Sequence, residues 1–395
     1  MSERARPAST ARITELQAAQ HVERRKNWNR TLVRVETDAG VTGYGAVGAD
    51  GRTVRGQLRG MEDRLLGEDP VAVGKLYDRM TGQQHSHRPH RPTVSGVDIA
   101  LWDLAGKLLD RPVSELLTGR FRESVPYYLN SRPEDPLDPG SCRAWADRLQ
   151  EDPDGPGAVK VSFDAAIESG SPARAEQSGR EKTTLRATEL QRVRRAAENV
   201  REALGEDRDF VAHCHNEWDL PSALGIAEAV APADPLWLED PLPVEHSEAW
   251  QTLGRKAPCR VLTGEKLEGV GEFEPFVLGG AVDVVQPDLV FAGGITGCRR
   301  IARLADRHHL PVTAHNTGGL VQNAATVHAA ATVRNFWMME TRLPQAAWIP
   351  EMGDAPGLVV EDGRFGVPTR PGLGVSLDDD AVREMLIDGE REHWE

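Results

Sequence analysis

Residues 31–37, TLVRVET, alternate apolar and polar side chains with period two, and the run ends in Asp38, Ala39 and Gly40 before a second short run, VTGYG at 41–45. This pattern predicts two strands joined by a tight turn. Over Thr93 to Leu109 the period changes: Val97, Ile99, Ala100, Leu101, Leu104 and Leu108 recur at helical spacing, with Ser95 as N-cap and Pro112 as the stop. Residues 1–124 therefore read as a separate α+β unit.

From Val125 to about Thr341, short apolar runs alternate with amphipathic stretches. The candidate strands are Val125–Asn130, Ala158–Phe163, Phe210–His215, Leu236–Glu239, Val261–Gly264, Val282–Gln286, Val312–Ala314 and Phe336–Met339. From Phe210 onward they start 26, 25, 21, 30 and 24 residues apart. Helical patterns such as Glu189–Leu204 and Gly297–Arg307 separate them. Eight such units predict a closed (β/α)8-type barrel over 125–343, in preference to an open doubly wound sheet. Residues 344–395 lose the repeat and are expected to pack back on the first unit. Asp164 to Arg186 is a long polar interval, expected to be a lid or unstructured.

Composition narrows the function. The chain has 395 residues, 39% hydrophobic and 27% charged, with a net charge of −14. So acidic a chain is a poor binder of nucleic acid, since phosphate neutralisation needs a basic face. The basic run at 23–26 is short and reads as a solvated turn. Cys142, Cys214, Cys259 and Cys298 form no CxxC pair and no disulfide framework. The N-terminus lacks a signal-peptide core and no run is apolar enough for a membrane span, so a cytoplasmic location is expected.

In a barrel of this type, polar residues at the C-terminal ends of strands face the active site. In chain order these are Lys160 and Ser162; His213 and His215; Glu239 and Asp240; Glu265 and Lys266; Asp288; His315 and Asn316; and Glu340. Each alone suits a helix cap, a salt bridge or a satisfied interior group. As an ordered set they place acid, imidazole and amine groups at one mouth. Glu239 and Glu265, on neighbouring strands, can hold a hard cation through oxygen. Such a cation stabilises the dianion formed when the proton next to a carboxylate leaves. His315 is a suitable base near neutral pH, and Asp288 could fix its tautomer. His85, His87 and His90 show no ligand spacing. Gly293 and Gly294 read as a tight turn between strand and helix.

The strings TLVRVETDAGVTGYG and SGVDIALWDLAGKLLDRPVSELLTG resemble the N-terminal capping domain of the enolase superfamily. WLEDPLP, LTGEKLEG and VDVVQPDLVFAGGITG resemble its mandelate racemase subgroup, in matching order along nearly the whole chain. The resemblance implies a metal-dependent enzyme acting on a small carboxylic acid through an enediolate, with Mg2+ the usual ion. It implies that Glu239 and Glu265 are metal ligands, that His315 and Asp288 form a catalytic dyad, and that Glu340 sits at the substrate oxyanion. Lys160 falls in the catalytic set, and Ser162 and Asn316 in the substrate-binding set. Specificity loops are expected from Gln20 to Asn29 and from Ala46 to Gly51. Family members commonly assemble as homo-oligomers.

Two positions depart from the family pattern. His213 stands where the third metal-binding carboxylate is usual. Imidazole brings no negative charge, so Mn2+, Fe2+ or Zn2+ gain relative to Mg2+; the alternatives are a metal-poor site, or Asp209 or Asp219 as substitute ligand. Ser162 stands where many members carry the second lysine of Lys-x-Lys, the base that racemases use opposite the histidine. His213 and His215 resemble the Asp-x-His motif of sugar-acid dehydratases with its first member changed, and His215 would then protonate the departing hydroxyl. The expectation is a sugar-acid dehydratase yielding a 2-keto-3-deoxy acid. A racemase or epimerase is the rival, and a weakly active binding homologue the alternative of another class.

Overall fold

The computed structural model describes residues 10–23, 28–82, 88–168, 184–342 and 352–394. An antiparallel sheet of β1 (Ile13–Glu23), β2 (Trp28–Thr37) and β3 (Thr42–Val47) forms the first layer. β1 lies outside the sequence expectation. Its one strongly apolar end, Ile13 and Leu16, gives way to Gln, Ala and His, and pairing with β2 from Ile13–Thr37 to Glu23–Trp28 orders it. β2 is buried on both faces. Val33 and Val35 pack with Val97, Leu101 and Leu104 of the helix Arg91–Leu109, whereas Ala19 of β1 and Leu32 join the main core of the barrel.

That helix lies very close to β3. A Cβ on Gly45 would sit 1.9 Å from the Gly96 carbonyl, and one on Gly43 2.2 Å from that of Ala100, so only glycine permits the contact. The helix starts two residues before the expected Thr93. Its N-cap is His90, whose ring accepts from the Thr93 N–H. Ser95 is no cap: its hydroxyl donates to the Arg91 carbonyl and accepts from Gly293 N–H across the layer boundary. The helix ends at Asp110 in a left-handed conformation rather than at Pro112, which precedes a further helical turn. His85 and His87 lie outside the described residues.

Eight parallel strands follow: β4 (Ser124–Asn130), β5 (Ala158–Ser162), β6 (Asp209–His213), β7 (Leu238–Glu239), β8 (Val261–Thr263), β9 (Val284–Val285), β10 (Val312–Ala314) and β11 (Phe336–Thr341). Each pairs with the next, and β11 pairs with β4, so the sheet closes into a barrel. Tyr128, Val211, Trp237, Leu262 and Val284 fill its interior. Ile295, Cys298, Ile301 and Ala305 form the buried face of the surrounding helix Gly294–Arg307, whereas the last barrel helix, Leu320–Ala331, is buried along its whole length.

The C-terminal segment touches both layers. A hairpin of Val360–Glu361 and Arg364–Gly366 adds antiparallel to β4. Further on, Ile387 N–H donates to the Gln20 carbonyl, and the buried Glu390 accepts from Gln20 N–H at 2.8 Å and from Arg55 at 2.9 Å. Gln20 in turn accepts from Gly51 N–H through its side chain. The segment thus fixes β1 and the first helix beside the barrel mouth. Among the described residues no helix is long and apolar enough to cross a membrane.

Candidate active site

The strand-end side chains converge at the mouth. One ligand atom from each of His213, Glu239, Asp240 and Glu265 can be chosen so that all lie within 4.8 Å of one another, and all four residues are buried. Their positions follow from the register: His213 pairs with Glu239 across β6 and β7, and β7 pairs with β8 just before Glu265. Glu239 is gripped on both oxygens, by Lys160 at 2.5 Å, Gln286 at 3.1 Å and the Trp237 indole at 3.3 Å. Such secondary contacts fix the direction of a ligand's lone pairs.

Electrostatics mark the cluster as cation-seeking. Lys160, buried, contacts Glu239 and Glu340 at 2.5 and 2.9 Å and Glu265 at 3.9 Å. Burial favours a neutral amine, but these carboxylates overcome it and hold Lys160 charged far above the usual lysine range. Burial likewise works against an ionised Glu239, yet Lys160 and His213 keep it well below the usual carboxylate range. Asp240 goes the other way, pushed up to about 7 by burial and by its neighbours Glu265 and Glu239. One ammonium among so many carboxylates leaves negative charge unmatched.

The donor set fits a divalent cation. Nδ1 of His213 is buried without a hydrogen bond, though only 3.0 Å from Glu239 Oε1. A buried polar atom stranded beside a carboxylate oxygen is what a shared ion would explain. Burial and Lys160 lower the His213 pKa, which favours the neutral, ligating form. Neither proposed substitute is near. Asp209 opens β6 at its opposite end, and Asp219 caps the helix Leu220–Val230 through Ser222 N–H.

His315 follows β10. Its Nδ1 is 2.6 Å from Asp288 Oδ2, and Nε2 faces Glu265 at 3.3 Å and Glu340 at 3.7 Å. Asp288 also accepts from Gln322 and from Val290 N–H, each at 2.9 Å. Burial alone would lower the imidazole; Glu265, Glu340 and the Asp288 bond win and raise it to about 9. His215 follows β6, four strands round the eight-strand ring, and so on the opposite wall. It and Asn216 are consecutive non-glycine residues with positive φ, 57° and 64°. Lys266 holds this bend by donating to the His215 carbonyl and the Asn216 side chain. Such backbone persists only where surroundings impose it.

A cavity of about 840 Å³ opens over these groups. Lys160, His213, His215, Glu265 and His315 line it from the barrel. Gln20, from one expected specificity segment, Gly48, Ala49 and Asp50, from the other, and Arg30, just beyond the first, line it from the first layer; residues 24–27 lie outside the described residues. Two expected substrate-binding residues sit elsewhere. Asn316 is buried and committed to Asn323 and the Glu340 carbonyl, because its side chain turns away from the mouth into the last barrel helix. The Ser162 hydroxyl is spent on Asp164 at 2.6 Å. Glu340 lies at the floor, bonded by Asn130 and Lys160. Arg30, Glu217, Phe291, Thr317 and Arg342 also line the cavity without having stood out in sequence, as does Asp164, noted there only as the start of the polar insertion; no strand-end rule reaches them. Of the polar insertion, residues 169–183 lie outside the described residues.

Comparison with known proteins agrees with this geometry. The model of the mandelate racemase / muconate lactonizing enzyme N-terminal domain matches residues 8–118. The enolase C-terminal domain-like model matches residues 146–381. A D-xylonate dehydratase of Haloferax volcanii is 32% identical over 385 residues, covering 96% of this chain and 90% of that protein. A D-galactonate dehydratase of Ralstonia pickettii is 29% identical, covering 89% and 90%. The crystal structure of a mandelate racemase/muconate lactonizing enzyme-like protein from Rubrobacter xylanophilus superposes with a TM-score of 0.86 at 29% identity, covering 97% of this chain and 99% of that one. With both domain models matched in order along the chain and a D-xylonate dehydratase 32% identical over nearly all of it, the chain belongs to the mandelate racemase subgroup of the enolase superfamily.

Proposed function

We propose that the protein is a hydro-lyase that dehydrates a sugar acid to a 2-keto-3-deoxy acid. The observation that carries this reading is the placement of two imidazoles, His315 and His215, on opposite walls of one cavity whose floor is the His213, Glu239 and Glu265 cluster. Those three residues would hold the cation, which when bound supplies positive charge against the carboxylate of the substrate and the enediolate. Nε2 of His315 takes the α-proton in its neutral form, which a cation held by Glu265 would favour by offsetting the carboxylate charge that keeps the imidazole protonated, and Asp288 keeps the opposite nitrogen protonated and the ring in place. Lys160 and Glu340 orient the carboxylate end. His215 supplies the proton with which the β-hydroxyl leaves. Residues of the first layer, Gln20, Arg30 and Asp50, meet the polyol tail and screen the site from water.

The relatives are named for D-xylonate and D-galactonate, so these two head a library of aldonic and aldaric acids for the test. The purified protein is incubated with each, under Mg2+ and under Mn2+, and 2-keto acid is read as its semicarbazone. Turnover of at least one acid is expected; none under either metal sinks the reading. Imidazole in the ligand set favours Mn2+, Fe2+ or Zn2+ over what three carboxylates would select.

A second reading draws on the same opposed imidazoles: they could also exchange a proton between the two faces of the α-carbon. An epimerase would incorporate solvent deuterium with inversion and release no water, and the same incubations in D2O separate the two.

A further inference from the structure

Asp164 opens the short helix Asp164–Glu168 after β5. Its Oδ2 lies 3.1 Å from Nδ1 of His215. The Ser162 hydroxyl donates to that oxygen at 2.6 Å and accepts from the Asp164 N–H at 3.3 Å. Asp164 and His215 both line the cavity. A carboxylate at Nδ1 settles which ring nitrogen carries hydrogen and leaves Nε2 for other work. The pattern repeats the one across the barrel, where Asp288 holds Nδ1 of His315.

We propose that Asp164, steadied by Ser162, is the positioning residue of His215, so that the cavity carries two facing imidazole–carboxylate pairs, one removing the α-proton and the other delivering a proton to the departing hydroxyl. The inference rests on the dehydration reading and extends it. It gives Ser162 a role at the position where Lys-x-Lys members carry their second lysine: the hydroxyl orients a carboxylate, and the imidazole takes over that wall. The left-handed bend at His215 and Asn216, held by Lys266, anchors the ring from the backbone side while Asp164 anchors it from the tip.

The step balances. His315 Nε2 accepts the α-proton, and the electron pair left on the α-carbon becomes the double bond to the β-carbon as the β-carbon–oxygen bond breaks. The hydroxyl leaves as water with the proton from Nε2 of His215, which enters the step as imidazolium and leaves it neutral, its Nδ1–H held by Asp164 throughout. One proton is gained at His315 and one lost at His215, and solvent restores both.

The test compares wild type, Asp164→Asn, His215→Asn and the double variant, loaded with Mg2+, on D-xylonate and D-galactonate in D2O. Asp164→Asn should slow water loss about 10²-fold, while deuterium still washes into the α-position of recovered substrate through His315. In the His215→Asn background the same change should cost nothing more. Equal loss of wash-in and water loss, or additive effects, overturns the proposal. A second measurement needs no substrate. In 15N-histidine-labelled Mg2+ protein, with His215→Asn as assignment control, the His215 ring should be protonated at Nδ1, and Asp164→Asn should abolish that preference. A His215 ring protonated at Nε2 alone in the wild type overturns the pairing. Should the wild type turn over neither acid, the ring spectrum still decides the pairing, and the fault lies with the substrate reading.

Discussion

His213 is the residue whose substitution says most about the site. Its Nδ1 faces Glu239 with no hydrogen bond of its own, and a neutral donor replaces what would be a third negative charge. Replacing it by aspartate should raise Mg2+ affinity by about tenfold, since hard-cation binding follows ligand charge, and should lower the preference for Mn2+ over Mg2+. Calorimetric titration of both ions into wild type and His213→Asp checks this; unchanged Mg2+ affinity would show that residue 213 does not reach the ion. At this scale the strand ends carried the information. Lys160, His213, Glu239, Glu265 and His315 all came from that rule and all line or underlie one cavity. Asn316 obeyed the rule in sequence but turns its amide to Asn323, a choice of side-chain direction that spacing does not encode. Asp164 was hidden for a different reason. It sits in a polar insertion, 51 residues from the histidine it meets, and only barrel closure brings β5 and β6 side by side.

Between elements, the helix Arg91–Leu109 and the first turn of Gly294–Arg307 are joined by a buried carboxylate. Asp98 Oδ2 accepts from Thr296 N–H at 2.9 Å, while Oδ1 has no partner. Burial raises this group to about 7, the bonds to Thr296 and neighbouring N–H groups only partly offsetting it. The folded chain therefore keeps a proton there that the unfolded chain releases from about pH 4 upward. Stability from this group is present below pH 4 and is lost as pH rises through 4 to 7, at roughly 1.4 kcal/mol per unit. Urea unfolding across that range should show the decline, and Asp98→Asn should flatten it; an unchanged slope would mean that the acid is ionised in the fold. The barrel strands were legible as elements because parallel strands buried on both faces read as short apolar runs. β1 was not, because much of its sequence is polar and its strand state comes from pairing with β2 rather than from its own pattern.

For the molecule as a whole, the C-terminal segment joins the two layers at the mouth. Glu390 ties Arg55 and Gln20 together, and Gln20 lines the cavity. Removing residues 387–394 should loosen the first-layer wall: KM should rise by about tenfold or more, since small misplacements of binding groups are costly, while cation content stays the same. Steady-state kinetics with metal analysis tests this, and an unaltered KM would show that the wall stands without the strap. The ammonium of Lys160 has a consequence at the same scale. It is a counter-ion supplied by the chain itself, so the barrel can close around its acidic floor before any metal arrives. Unlike a zinc finger, whose folding waits for its ion, this enzyme should survive a chelator as a folded, silent apo-protein. Far-ultraviolet dichroism should be unchanged by EDTA while turnover vanishes, and adding back the ion should restore activity without a refolding lag.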